Sequence, residues 1–271
     1  MVSVLTSQEK EDVVRLYQAG KSTPNIAEKY GVSSTAINGI LKRRNVELRN
    51  YSQSKMIYGL NVDYFQSIDC EEKSYWLGFL AADGNVTDKA EIRVTLSAKD
   101  SNHLFKFKES VESTHPIKLF EANGFRYVTF GFKNQKMASD LNRHGIVPRK
   151  THVLQPPKTV PLNSIRHYIR GYVDGDGGFN GVKQPNFRVT STLEVVLWIQ
   201  DHLIEKCDLR RKTKLIQRNK SSEIYTINYS GLRQVLRIGH YLYDGSSVFL
   251  DRKKNYIDLL PSPARKRRID A

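Results

Sequence analysis

The stretch "YVDGDGGF", residues 172–179, sets two aspartates and three glycines directly behind a helix-like apolar run. Glycine weakens helices, and a carboxylate drawn into an apolar setting costs free energy unless something compensates it. The pattern therefore needs a reason beyond ending a helix. "LAADGNV", residues 80–86, makes nearly the same turn earlier in the chain. Asp83 and Asp176 stand 93 positions apart (83 to 176), a period that suits one small unit used twice.

Reading outward from the two turns, each copy opens with a short apolar helix, "EEKSYWLGFLAADG" and "NSIRHYIRGYVDGDG". Each continues through a strand containing "RVT", at 93–95 and 188–190, and then a helix, "DSNHLFKFKESV" or "TLEVVLWIQDHLIEK". Two strand patterns follow: "PIKLFE" with "FRYVTFGF", then "TKLIQRN" with "EIYTINYS". A shorter helix closes each copy, with an Arg-Lys pair near its end, Arg149-Lys150 and Arg252-Lys253. The expected fold class is α+β: two pseudo-symmetric αββαββα repeats whose antiparallel sheets form a saddle. A single unit would leave its helix and one sheet face exposed, so the copies should pack together.

The aspartate turns make sense if the two opening helices meet at a pseudo-two-fold axis. Gly78 and Ala82 are spaced i, i+4 on one helix, Gly171 and Gly175 on the other. Small residues at that spacing let backbones approach closely, as in paired GxxxG helices. Asp83 and Asp176 would then be neighbours, repelling each other unless a cation sits between them. Hard oxygen ligands with open positions suit Mg²⁺. A calcium loop does not fit: counted from Asp174 it meets Phe179 and Pro185 where Gly and Glu are needed, and counted from Asp176 it ends on Phe187.

"WLGFLAADG" (76–84) and "IRGYVDGDG" (169–177) resemble the two motifs of single-chain LAGLIDADG homing endonucleases. The resemblance spans residues 71–260. In that family the motif's penultimate acidic residue coordinates the catalytic metals, which implies Asp83 and Asp176 here. A lysine late in each repeat lies near the scissile phosphates, which implies Lys150 and Lys253. The sixth motif position departs between copies, Ala81 in the first and Asp174 in the second, which leaves the role of Asp174 open. The resemblance also implies hydrolysis of one phosphodiester in each strand, across the minor groove, leaving short 3′ overhangs.

An N-terminal module precedes the repeats. "QEKEDVVRLYQAG", "STPNIAEKYG" and "SSTAINGILKRRN" read as three short helices, with Ser22 or Thr23 and then Ser33 as caps, and with Pro24 in a first turn. The tight "KYGVSS" turn, Ala27, Gly31 and Val32 resemble the helix-turn-helix of resolvases and transposases, whose last helix enters the major groove. Ser34, Thr35 and Asn38 would face outward there, with Lys42 and Arg43 beside phosphates. The expected division is 1–46 for this module, 47–70 for a linker partly ordered by Tyr64 and Phe65, and 71–271 for the endonuclease-like domain. Within the last, repeat one covers about 71–154, repeat two about 161–260, and a basic tail 261–271.

Charge agrees with a polyanionic partner. Lys+Arg of 43 against Asp+Glu of 28 gives +15, a field that attracts nucleic acid. Cys70 and Cys207 lack metal-site spacing, and no apolar run is long enough for a membrane span. In "EIRVTLS" apolar and polar residues alternate, giving a polar outer sheet face. Arg93, Thr95, Lys133, Arg188, Thr190, Lys214 and Arg218 are the candidate DNA contacts. The expected partner is double-stranded DNA, bound by a monomer, in the cytoplasm of a bacterium or its phage; intron RNA and an organelle are the alternatives. A splicing helper that binds intron RNA and a regulator that binds DNA without cutting share the same expected fold. Retention of both acidic residues favours the nuclease over the regulator.

Overall fold

A computed structural model describes residues 5–48, 58–210, 212–217 and 223–261. The chain divides into two compact units, 1–58 and 59–271.

In the first unit, α1 (Ser7–Gln18) starts at a capping box: Thr6 accepts from the Glu9 backbone while the Glu9 carboxylate accepts the Thr6 N–H at 2.7 Å. Helix α2 (Thr23–Tyr30) is capped by Ser22, and α3 (Ser34–Arg43) by Ser33. Between them Gly31 sits at φ +65°, a left-handed conformation that glycine adopts without strain and that folds α3 sharply back. Val13, Tyr17, Ile26, Ala27, Ile37, Ile40 and Leu41 close the small core.

The second unit carries the repeat. Its first copy runs through α4 (Glu71–Asp83), β1 (Gly84–Val86), β2 (Glu91–Ser97), α5 (Ser101–Ser110), β3 (Lys118–Ala122), β4 (Phe125–Lys133) and α6 (Gln135–Arg143). The second copy runs through α7 (Ile165–Asp176), β5 (Gly177–Asn180), β6 (Asn186–Thr192), α8 (Leu193–Cys207), β7 (Ile216–Gln217), β8 (Ile224–Ser230) and α9 (Leu232–Tyr243). Each builds an antiparallel four-stranded sheet with one strand order, β1-β2-β4-β3 and β5-β6-β8-β7. Registers match as well: Arg93 lies opposite Gly131 and Thr95 opposite Thr129, as Arg188 lies opposite Asn228 and Thr190 opposite Thr226.

Helices α4 and α7 form the axis, and glycine decides how close they come. A Cβ placed on Gly78 would lie 2.0 Å from the Tyr168 carbonyl oxygen, and one on Gly171 would lie 2.0 Å from that of Tyr75. The contact is reciprocal across the pseudo-dyad. One turn on, a Cβ on Gly175 would fall 2.4 Å from the Ala82 methyl. The expected small-residue interface is therefore present, at backbone contact. Around it α4 is buried on every side from Ser74 to Ala81, which explains its nearly unbroken apolar sequence. Trp76, Phe79, Tyr168 and Tyr172 each bury a large side chain in the same core.

Three features differ from the sequence expectation. The second unit begins before residue 71: Tyr64, Phe65 and Ile68 are buried in its core, so the later part of the expected linker belongs to the fold. The two Arg-Lys pairs do not sit in equivalent elements. Lys150 starts a single 3₁₀ turn (Lys150–His152), between Pro148 and the prolines at 156 and 157, which stop a helix. Lys253 lies inside a further helix, α10 (Asp251–Leu259), where no proline or glycine intervenes. The strand expected from "TKLIQRN" is described only as the two residues of β7. Arg218, the middle of the linker (49–57) and the basic tail beyond residue 261 lie outside the described residues. No helix among the described residues is long and apolar enough to cross a membrane.

Candidate active site

Both aspartates close their helices, Asp83 as the last residue of α4 and Asp176 as the last of α7. The glycine contact that joins the helices also brings these ends together: a Cβ on Gly175, next to Asp176, would lie 3.3 Å from the Asp83 carboxyl carbon. Asp83 is half-buried, while Asp176 is exposed on its outer side with protein packed behind it. Burial and then the neighbouring Asp176 push the Asp83 carboxyl up to about 6. Burial also raises Asp176, opposed by the charges of Lys150 and Lys253.

The pair fits a divalent cation bound partly by its substrate. Among the described residues no cluster of three or more His, Cys, Asp or Glu could hold a metal. Two adjacent carboxylates, both raised by burial and Asp83 further by Asp176, and lacking further acidic ligands, match an ion that completes its coordination with oxygens from outside the protein. Mg²⁺ is commonly bound in that way.

Lys150 and Lys253 reach the same place from opposite repeats, and both are buried. The Lys150 amine donates to the Ala82 carbonyl at 3.0 Å, in the last turn of α4. The Lys253 amine donates to the carbonyls of Val173, Asp174 and Gly177 at 2.6, 2.7 and 2.9 Å. These carbonyls lie at or just past helix C-termini, where the negative end of the helix dipole favours a cation. Burial pushes Lys253 down to about 8 and lowers Lys150, with Asp176 and Asp83 opposing the change at Lys150.

Asp174 points away from the acid pair and into the core, where it is 1% exposed. Its carboxylate accepts from the Tyr75 hydroxyl at 2.7 Å, the Tyr243 hydroxyl at 2.6 Å and the Leu250 N–H at 2.8 Å. Leu250 is the N-cap of α10, so Asp174 ties that helix, with Lys253 on it, to the end of α7. Beside it Arg170, fully buried, donates to Glu71 at 2.7 Å and to the carbonyls of Leu242 and Val248 at 3.0 and 2.9 Å. Asp174→Asn should cost about 1–3 kcal/mol, because an amide turned into three donors leaves one unpaired. Thermal melting checks this, and an unchanged melting temperature would remove Asp174 from this role.

The sheets place the expected contact residues as alternation required. Arg93, Thr95, Lys133 and Arg188 are exposed, and Thr190 is half-buried, on the faces opposite the core. The Thr95 hydroxyl bonds that of Thr129 at 3.0 Å, and Thr190 pairs with Thr226 at 2.8 Å, another feature repeated in both sheets. Gly131 leaves room for Arg93, since a Cβ there would lie 3.2 Å from the Arg93 Cγ. Lys214 is exposed in the segment before β7. In the N-terminal unit Thr35, Lys42 and Arg43 are exposed, and Ser34 and Asn38 half-buried.

Sequence reading missed an aromatic pair on the first sheet. Phe120 and Tyr127 face each other across β3 and β4 and stack at 5.6 Å on the same outward face as Arg93 and Thr95. Counting the alternation of "FRYVTFGF" back from the buried Val128, Phe130 and Phe132 assigns Tyr127 to that face.

No family model matches the sequence, and no curated protein matches it. Among solved structures the chain is similar to the I-LtrWI LAGLIDADG homing endonuclease bound to target DNA, with 12% identity over 73% of this chain and 89% of that chain and a TM-score of 0.45. It is also similar to meganuclease I-SmaMI bound to uncleaveable DNA with a TTGT central four (12% identity, 68% and 86% of the two chains, TM-score 0.48). Mesophilic variants from the homing endonuclease I-DmoI are similar at 14% identity, over 73% and 98% of the two chains, with a TM-score of 0.46.

Proposed function

We propose that this chain is a two-motif LAGLIDADG-type endonuclease that hydrolyses both strands of a specific DNA duplex. The observation that carries the reading is the acid pair. Two aspartates from distant parts of the chain are held together at the ends of helices in backbone contact, with a buried lysine beside each. A protein that only bound nucleic acid would have no reason to keep two repelling carboxylates there.

In this reading Asp83 and Asp176 would hold Mg²⁺, which when bound would supply Lewis acidity at the phosphoryl group and charge to offset the departing oxygen. A water oxygen bonds to phosphorus and its proton passes to solvent, while the P–O3′ bond breaks and the departing O3′ takes a proton from solvent. The products are a 3′-hydroxyl and a 5′-phosphate. The aspartates fix where the phosphate sits, and the charge of Lys150 offsets the negative charge that grows on its oxygens. The outward sheet faces, through Arg93, Thr95, Lys133, Arg188 and Thr190, read the two flanks of the site. Because those faces differ in sequence, the target is long and only loosely palindromic. Ser34, Thr35 and Asn38 of the N-terminal unit add base contacts, and Lys42 and Arg43 add phosphate contacts. Both acids come from one chain, so the enzyme acts as a monomer, and its cuts promote the mobility of an intron or free-standing element.

The test is incubation with a plasmid carrying the chain's own genomic neighbourhood, the interrupting element removed, plus Mg²⁺. Linear product that disappears in EDTA supports the reading. Folded protein that binds this plasmid and never cuts it would instead indicate a regulator or a splicing role.

The acid pair also sets a pH dependence. Asp83 must be ionised to hold the cation, and its carboxyl titrates near 6. Below that value protons compete with the ion, so the Mg²⁺ concentration giving half-maximal cleavage should rise about tenfold per pH unit between roughly pH 6 and 5. It should stay flat between pH 7 and 8. A requirement that does not change with pH would exclude Asp83 as a metal ligand.

A further inference from the structure

The two lysines beside the acid pair are held in different ways. An ammonium group has three N–H donors. Lys253, 4% exposed, gives one to each of the Val173, Asp174 and Gly177 carbonyls. None is left for a substrate oxygen. Lys150 makes one hydrogen bond among the described residues, to Ala82. Lys150 also lines a cavity of about 540 Å³ together with Asp83, Asn85, Thr87, Asp88 and Arg149.

The cause lies at the sixth motif position. In the second repeat the Asp174 carboxylate accepts the Leu250 N–H and pins the N-terminus of α10, which carries Lys253 down onto the last turn of α7. In the first repeat that position is Ala81, which has no side-chain acceptor, and Lys150 sits on a short 3₁₀ turn after Arg149, itself at φ +56°.

We propose that the two lysines serve different purposes. Lys150 donates to a phosphoryl oxygen of one strand, whereas Lys253 is a strut that closes the end of α7. The duplex is therefore cut one strand at a time, the Lys150 strand first. The proposal rests on the endonuclease reading above. A phosphate on the Lys253 side gains a donor only by taking it from a buried carbonyl, which slows that strand by about tenfold or more.

The test uses the full chain, Mg²⁺ and the duplex that the wild-type protein cuts, carried on a supercoiled plasmid and also as a linear fragment with a different label on each 5′ end. Wild-type protein should accumulate nicked circle before linear DNA, with one strand cut at least about tenfold faster. Lys150→Met should slow that strand about a hundredfold or more and leave the metal-free melting temperature within about 2 °C. Lys253→Met should lower the metal-free melting temperature by at least about 5 °C and slow the faster strand less than about tenfold. If Lys253→Met does not fold, the wild-type strand rates and Lys150→Met still decide. Equal rates for the two strands overturn the proposal. So does a Lys253→Met protein of unchanged melting temperature that loses cutting as Lys150→Met does. Wild-type protein that cuts no duplex refutes the endonuclease reading instead, and the two melting temperatures then still judge the strut.

Discussion

Asp176→Asn should abolish double-strand cleavage while DNA binding persists. Asparagine keeps the shape at the end of α7 but removes one of the two charges proposed to hold the cation, and the site has no third carboxylate among the described residues to replace it. Metal assistance to phosphoryl transfer amounts to several kcal/mol, so the expected loss in rate is about a hundredfold to a thousandfold. Asp83→Asn should do the same. The two variants should also show that the acids are retained for function at a cost in stability. The Asp83 carboxyl is raised in the folded protein, from an ordinary 3.8 to about 6. The folded state therefore binds its proton more tightly than the unfolded chain, and stability falls as pH rises through that window. Without metal, Asp83→Asn should melt higher than wild type above about pH 6 and equally below about pH 4. Adding Mg²⁺ should stabilise wild type more than the variant. Plasmid linearisation, gel-shift binding in Ca²⁺ and melting curves at several pH values measure these points. An Asp176→Asn protein that cuts at near wild-type rate would end the assignment.

The part of this site legible in the sequence is the part encoded locally. Small residues at i, i+4, followed by Asp-Gly, specify a close helix pair with acids at its end, and repetition at a fixed interval turns two weak turn signals into one arrangement. Strand alternation likewise assigned Arg93, Thr95, Arg188 and Thr190 to their faces. What stayed hidden depends on partners distant in the chain. The role of Asp174, two residues from Asp176, was open in the sequence; helical geometry turns it about 200° away and into hydroxyls from Tyr75 and Tyr243. Lys150 and Lys253 look equivalent in sequence, and the different elements that carry them and the carbonyls around each amine separate them. Tyr64 and Phe65 were legible as ordering anchors, but that they and Ile68 belong to the core of the second unit was obscured because their segment has no period.

Gly171→Ala should unfold or severely destabilise the second unit, and Gly78→Ala should match it. The reason is the geometry of the axis rather than helix propensity, since alanine is the better helix former by about 1 kcal/mol. At both positions the added methyl would sit 2.0 Å from a carbonyl oxygen of the facing helix, a backbone atom that cannot rotate aside. The helices must separate, and separation costs packing along α4, which is buried from Ser74 to Ala81. Overpacking of this kind costs about 3 kcal/mol or more, which for a unit of this size lowers the melting temperature by roughly 6–12 °C. Gly178→Ala is the internal control: it lies three residues beyond Gly175, and nothing stands within 4 Å of its Cβ direction, so its melting temperature should barely move. The same substitutions separate stability from chemistry. Even a small opening of the pair moves Asp83 and Asp176 apart, so a Gly78→Ala protein that still folds at low temperature should need more Mg²⁺ to cut. If Gly78→Ala and Gly171→Ala melt like wild type, the two helices are not in backbone contact, and the carboxylates they carry are not held close enough to share an ion.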